Sequence, residues 1–97
     1  MMGTKATVCL RVRIEGRVQG VFFRVWTVEQ AVERGLSGWV RNRRDNSVEA
    51  LFCGAQVAVD DMLAACRHGP PKASVTAVIA EPADPPDVLG FRKLPTL

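Results

Sequence analysis

Residues 7–14, Thr-Val-Cys-Leu-Arg-Val-Arg-Ile, alternate without a break. Val8, Leu10, Val12 and Ile14 share one face; Thr7, Cys9, Arg11 and Arg13 share the other. A side-chain period of two predicts a half-buried strand, with one face on a core and one toward water. That apolar face must be covered by another layer, so this segment constrains the rest of the chain. The alternation returns at 74–80, where Val75, Ala77 and Ile79 fall together. Residues 36–40 and 48–53 predict two more strands around a polar turn, Arg43-Arg44-Asp45-Asn46-Ser47. Asp and Asn tolerate left-handed backbone angles, so this turn predicts a hairpin.

The segments between the strands carry a different pattern. Residues 22–34 contain neither Gly nor Pro and are followed by Gly35, which predicts a helix with its stop. Two stripes compete for its buried face: Val25, Val28 and Val32, or Phe23, Thr27 and Ala31. Periodicity does not choose between them. Residues 55–68 predict a second helix, with Val59, Met62, Leu63 and Cys66 at i, i+3, i+4 and i+7. Gly69-Pro70-Pro71 ends it. Residues 15–21 and 82–86 are expected as loops, and 89–94 as a short last strand.

The order strand, helix, strand, strand, helix, strand predicts an α+β fold. It is the ferredoxin-like βαββαβ sandwich, an antiparallel sheet with two helices on one face, plus a short C-terminal strand. Ninety-seven residues without an internal repeat or a long linker predict a single domain over 1–97, with its core at about 7–95. Many functions use this fold, so function has to come from a site.

Composition narrows the chemistry. No apolar run approaches the ~20 residues of a membrane span. Met1-Met2-Gly3-Thr4-Lys5 lacks the pattern of a secretory signal. Cys9, Cys53 and Cys66 fit neither a disulfide framework nor a zinc site, and are expected as small buried fillers in a reducing cytoplasm. His68 is the single histidine, which argues against a His-based metal centre or a Ser-His-Asp triad. It is expected to interact with the dipole at the end of the second helix. The expectation is a cytoplasmic domain with no metal and no cofactor. Residues 1–44 carry a net charge of +6 and residues 45–97 a net −3. The basic half suits an anionic partner, either nucleic acid or a small phosphate compound.

The first candidate site is Gly16-Arg17-Val18-Gln19-Gly20-Val21-Phe22-Phe23-Arg24, between the first strand and the first helix. Glycines let such a loop bring backbone N–H groups close to a ligand. The helix start adds unpaired N–H groups and the positive end of its dipole. Arg24 falls in the first turn, where side chains lean back over the preceding loop, and its planar fork suits two phosphate oxygens. No Lys-Ser/Thr pair follows Gly20, so this is not a Walker loop, and the glycine spacing is wrong for a dinucleotide fingerprint. On spacing alone, a tight turn with a surface arginine would look the same. The second candidate is Asn42, at the end of the second strand; its carboxamide offers a donor and an acceptor for a water, or simply a turn residue.

Together these residues carry a resemblance. Gly16 to Arg24 resembles the first acylphosphatase signature, and Gly38-Trp39-Val40-Arg41-Asn42, followed by Val48 and Gly54, resembles the second. Gly69-Pro70-Pro71 and Gly90-Phe91-Arg92 are also similar to bacterial-type members. The resemblance covers about 7–95. It implies metal-independent hydrolysis of the carboxyl-phosphate bond of small-molecule acyl phosphates. In this resemblance Arg24 binds the phosphate with the amides of Arg17, Val18, Gln19, Gly20, Val21, Phe22 and Phe23, and Asn42 orients the attacking water. Such chemistry needs positioning and charge neutralisation more than covalent help. Asn46 stands where the family commonly has glycine, and asparagine is the next best residue for a positive φ. The proline found after the arginine in the related domain of hydrogenase-maturation carbamoyltransferases is missing, which favours a free-standing enzyme, expected as a monomer.

Two rival readings remain open at the level of sequence. One is a catalytically inactive module of the same fold that binds phosphate ligands. The other is a nucleic-acid-binding domain, for which the first strand lacks the aromatics that would stack bases. No nucleic-acid or membrane partner is expected.

Overall fold

The computed structural model describes residues 7–87 and 89–97. The expectation about a secretory signal falls on residues outside these. Seven elements follow in order: β1 (Thr7–Arg17), α1 (Phe23–Glu33), β2 (Ser37–Asn42), β3 (Val48–Ala55), α2 (Gln56–His68), β4 (Ser74–Pro82) and β5 (Phe91–Lys93). The strands form one sheet in the order β4-β1-β3-β2-β5. Pairing is antiparallel except for β5, which runs parallel to β2 and makes the sheet mixed. This is the ferredoxin-like arrangement that the alternation predicts. Among the described residues no helix is long and apolar enough to cross a membrane.

The apolar face of β1 is covered as its period requires. Val12 and Ile14 join Val40, Val48, Ala50 and Phe52 from the sheet and Phe23, Ala31, Val59, Met62 and Cys66 from the helices in one core. The face of α1 is now decided. Phe23, Thr27 and Ala31 are buried, whereas Val25 is 44% and Val32 60% exposed. Thr27 can sit in the core because its hydroxyl donates to the Phe23 carbonyl at 2.8 Å, one turn back. α1 ends as Gly35 predicts. The Gly35 N–H donates to Val32 O and the Leu36 N–H to Ala31 O, the paired bonds of a Schellman cap.

β1 is longer than its alternation. The expected loop from Glu15 is corrected: the strand continues to Arg17 through a shift in register between Glu15 and Gly16. Only glycine fits there. Its φ is +123°, and a Cβ would stand 2.1 Å from the Ser74 carbonyl oxygen of β4. The bulge carries β1 to the mouth of the next loop before the chain leaves the sheet.

The other face of the sheet is open and holds much of the basic half. Arg11 pairs with Glu81, Arg13 with Glu15 and Asp45, and Arg41 and Arg43 both with Glu49. Arg34 pairs with Asp61 at the helix layer. Part of the charge asymmetry along the chain is therefore matched across the strands. Arg17, Arg24 and Arg44 have no ion pair among the described residues.

The reading of the cysteines is corrected for two of the three. Cys9 and Cys53 form a disulfide on the open face, where antiparallel register sets them opposite one another with Cα atoms 4.1 Å apart. A separation of 44 residues hides this pair until the pairing of β1 with β3 is known. Cys66 is free and buried, as expected, and burial pushes its thiol up to about 12. Chain-entropy reasoning gives a cross-link of this span up to about 4 kcal/mol of stability. Reduction should therefore lower the urea midpoint, with a loss of about 2–4 kcal/mol. Thiol titration of the unfolded protein should rise from one reactive thiol to three. An unchanged midpoint after complete reduction would contradict this.

Candidate active site

β1, β2 and β5 all run toward the same end of the sheet. Their C-terminal ends gather there with the start of α1. A cavity of about 430 Å³ opens at this end, lined by Val18, Gly20, Phe22, Phe23, Arg24, Val25, Asn42 and Lys93. It brings together the two motifs that lie 18 residues apart at Arg24 and Asn42 in the sequence.

The loop between β1 and α1 is anchored from below and strained at its tip. Val18 and Val21 are buried and pin it to the core. Gly20 has φ +73°, and Phe22, which caps α1, has φ +62° although it is not glycine. A left-handed non-glycine residue costs on the order of 1–3 kcal/mol, and such positions cluster at functional sites. Phe22 is also 80% exposed, so packing of its own ring does not explain the conformation. Among the described residues, the backbone N–H groups of 18–22 donate to no protein acceptor. They remain available to an anion beside the positive end of α1.

Gln19 joins this loop to the second motif. Its Nε2 donates to the carbonyl oxygens of Arg43 at 2.7 Å and Ser47 at 2.9 Å, the two ends of the turn after β2. The turn is also braced internally. Arg43 N–H donates to Ser47 O, and Asp45 Oδ1 accepts from the Ser47 amide at 3.0 Å and hydroxyl at 2.6 Å. Those bonds from Ser47, with help from Arg13, hold the Asp45 carboxyl down at about 2. Asn46 takes φ +75°, so asparagine fills the position usually given to glycine without losing the turn. On the open face, burial works against the Glu49 carboxylate, but Arg43 and Arg41 outweigh it and lower its pKa.

Asn42 closes the cavity from the sheet side. Its Oδ1 is buried and has no hydrogen-bond partner among the described residues. A buried acceptor without a partner costs about 1–3 kcal/mol and is rare enough to require a reason. Its backbone is held from the other side, since the Leu97 N–H donates to Asn42 O at 3.2 Å.

The chain as a whole is similar to known proteins. An acylphosphatase family model matches residues 10–93. The chain belongs to the acylphosphatase family. It is 56% identical over 88 residues to an acylphosphatase of Rhodospirillum rubrum, covering 91% of this chain and 97% of that one. An acylphosphatase of Bradyrhizobium diazoefficiens is 57% identical over 84 residues, covering 87% and 84%. The structure of an acylphosphatase from Coxiella burnetii superimposes with a TM-score of 0.88 at 35% identity, over 96% of this chain and all of that one (100%).

Of the residues that acylphosphatase resemblance singles out, Val18, Gly20, Phe22, Phe23, Arg24 and Asn42 line one cavity. Arg17, Gln19 and Val21 do not line it. Arg17 is exposed at the end of β1, Val21 is an anchor, and the Gln19 side chain is used as a tie. Two contributions escaped the sequence. Gln19 as a tie has no local signal, because its acceptors are carbonyls more than 20 residues away. Lys93 had a faint one. It stands two residues after Phe91, so strand alternation puts it on the Phe91 side, and Phe91 stacks on core Phe52.

Removing the Gln19 carboxamide strands two carbonyls and frees the loop from the turn. Gln19→Ala should cost about 1–3 kcal/mol by urea unfolding. It should also lower kcat/KM on acetyl phosphate by roughly tenfold, through lost positioning. Wild-type kinetics in a destabilised variant would show that the tie is only structural.

Proposed function

We propose that residues 7–95 act as one catalytic domain in which Arg24 and the loop amides bind the phosphoryl group and Asn42 orients the attacking water. The chain is an enzyme of the acylphosphatase type, a hydrolase of the carboxyl-phosphate bond. The observation that carries the assignment of roles is the unpartnered Oδ1 of Asn42, buried in the same cavity as Arg24.

The reaction follows from the groups present. The phosphoryl oxygens of a small acyl phosphate sit among the N–H groups of 17–23, with the Arg24 guanidinium across two of them. The Oδ1 of Asn42 accepts a hydrogen bond from a water and holds the water's oxygen toward phosphorus. The oxygen attacks phosphorus, the bond from phosphorus to the acyl oxygen breaks, and its electron pair leaves with the carboxylate. The water's proton passes to a phosphoryl oxygen, giving inorganic phosphate. The residues lining the cavity include no carboxylate to act as base. A carboxylate is a good leaving group, so no protein acid is required. Catalysis here is positioning and charge stabilisation in a fixed frame. The same account needs no metal or cofactor.

The setting we propose is the cytoplasm, where a reducing thiol pool would favour the dithiol form of Cys9 and Cys53. The working unit we propose is a monomer, with Arg24, the loop amides and Asn42 all supplied by the same chain.

Acetyl or benzoyl phosphate should be hydrolysed in the presence of a chelator. Arg24→Ala should lower kcat/KM on the order of 10³-fold. Asn42→Ala should lower kcat on the order of 10²-fold. Because Asn42→Ala removes a buried acceptor that has no partner, its urea midpoint should equal or exceed wild type. Wild-type turnover by either variant removes that residue from the mechanism.

A further inference from the structure

We propose that Lys93 is the second cation of the phosphate site, and that with Arg24 it tunes the site to the phosphate dianion. This rests on the reading that the cavity binds a phosphoryl group. Lys93 lies on β5 and pairs with Val40 of β2, two residues before Asn42. Val40 is buried on the helix side of the sheet, and Asn42 shares that side by alternation. Lys93 and Asn42 are therefore diagonal neighbours on adjacent strands, on one face of the sheet and roughly 7–8 Å apart.

The position is held firmly. After Lys93 the chain continues along β2, with Leu94 N–H donating to Val40 O at 2.8 Å and Leu97 N–H to Asn42 O at 3.2 Å. The ammonium is also unclaimed. Lys93 makes no ion pair or side-chain hydrogen bond among the described residues, whereas most arginines of the open face are matched to carboxylates. Two charged groups line the cavity, Arg24 from α1 and Lys93 from β5, and both are cationic.

Charge balance then selects the ligand. A phosphoryl group with its second proton lost carries two negative charges, and that loss falls near pH 6 for phosphate esters. A single guanidinium leaves one charge to be met by amide dipoles alone. Lys93 supplies the second full charge on a flexible stem that can follow the phosphate from substrate to product. It should favour the dianion over the monoanion of both acyl phosphate and inorganic phosphate.

Inorganic phosphate is the probe, with its affinity measured by calorimetry on the intact chain at about pH 5 and about pH 8, on either side of that proton loss. Wild type should bind more tightly at the higher pH. Lys93→Met should weaken binding at the higher pH by roughly tenfold or more and flatten the dependence on pH. Lys93→Arg should restore both. The KM for acetyl phosphate should rise in Lys93→Met in parallel with the phosphate Kd, with a smaller change in kcat. A Lys93→Met protein with wild-type affinity and pH dependence overturns the proposal while leaving the acylphosphatase reading intact. A wild-type protein that neither binds phosphate nor hydrolyses acetyl phosphate overturns both.

Discussion

Gln19 donates from one nitrogen to the carbonyls of Arg43 and Ser47, and this double contact joins two parts of the chain that the sheet alone keeps apart. β1 and β2 are not neighbours; β3 lies between them. Two strand spacings, roughly 10 Å, separate the strand that feeds the loop before α1 from the strand that ends in Asn42. The carboxamide of Gln19 crosses that interval at the sheet's end. With it in place, the loop, Arg24 and Asn42 are tied into one frame, as the proposed attack by a positioned water requires.

The frame holds features that cost stability. Phe22 occupies a left-handed conformation, and among the described residues the N–H groups of 18–22 have no protein acceptor and the buried Asn42 Oδ1 has no partner. Each is unfavourable in the chain by itself, and the proposed binding of an anion and a water would relieve or use each. The core under the loop, with Val18, Val21 and Phe23 buried, keeps these groups from relaxing. The surrounding charge is quieter than the sequence suggests. Arginines of the open face are matched to Glu15, Asp45, Glu49 and Glu81. Arg24 and Lys93 are left as the charges facing the cavity.

Local signals were legible in the sequence where the physics is local. Alternation located β1 and β4, the polar turn at 43–47 set off β2 and β3, Gly35 ended α1, and Asn46 took the positive φ that its turn requires. Arg24 and Asn42 could be named before their cavity was known because their two motifs resemble the acylphosphatase signatures; on spacing alone a tight turn with a surface arginine would look the same. What stayed hidden depends on register. Cys9 meets Cys53 only through the pairing of β1 with β3, and Lys93 approaches Asn42 only because β5 adds in parallel beside β2. The buried stripe of α1 turned on tertiary packing, since a threonine that bonds to its own helix could displace valines from the core. The bulge at Gly16 needed β4 beside it to be seen.

In the proposed reaction a water held at Asn42 attacks phosphorus, not the acyl carbon. Hydrolysis of acetyl phosphate in ¹⁸O-labelled water, followed by mass spectrometry of both products, tests it directly. One labelled oxygen in the inorganic phosphate and none in the acetate is the predicted result. Label in the acetate would mean attack at carbon, and would contradict the assignment of Asn42, Arg24 and the loop as a phosphoryl-transfer site.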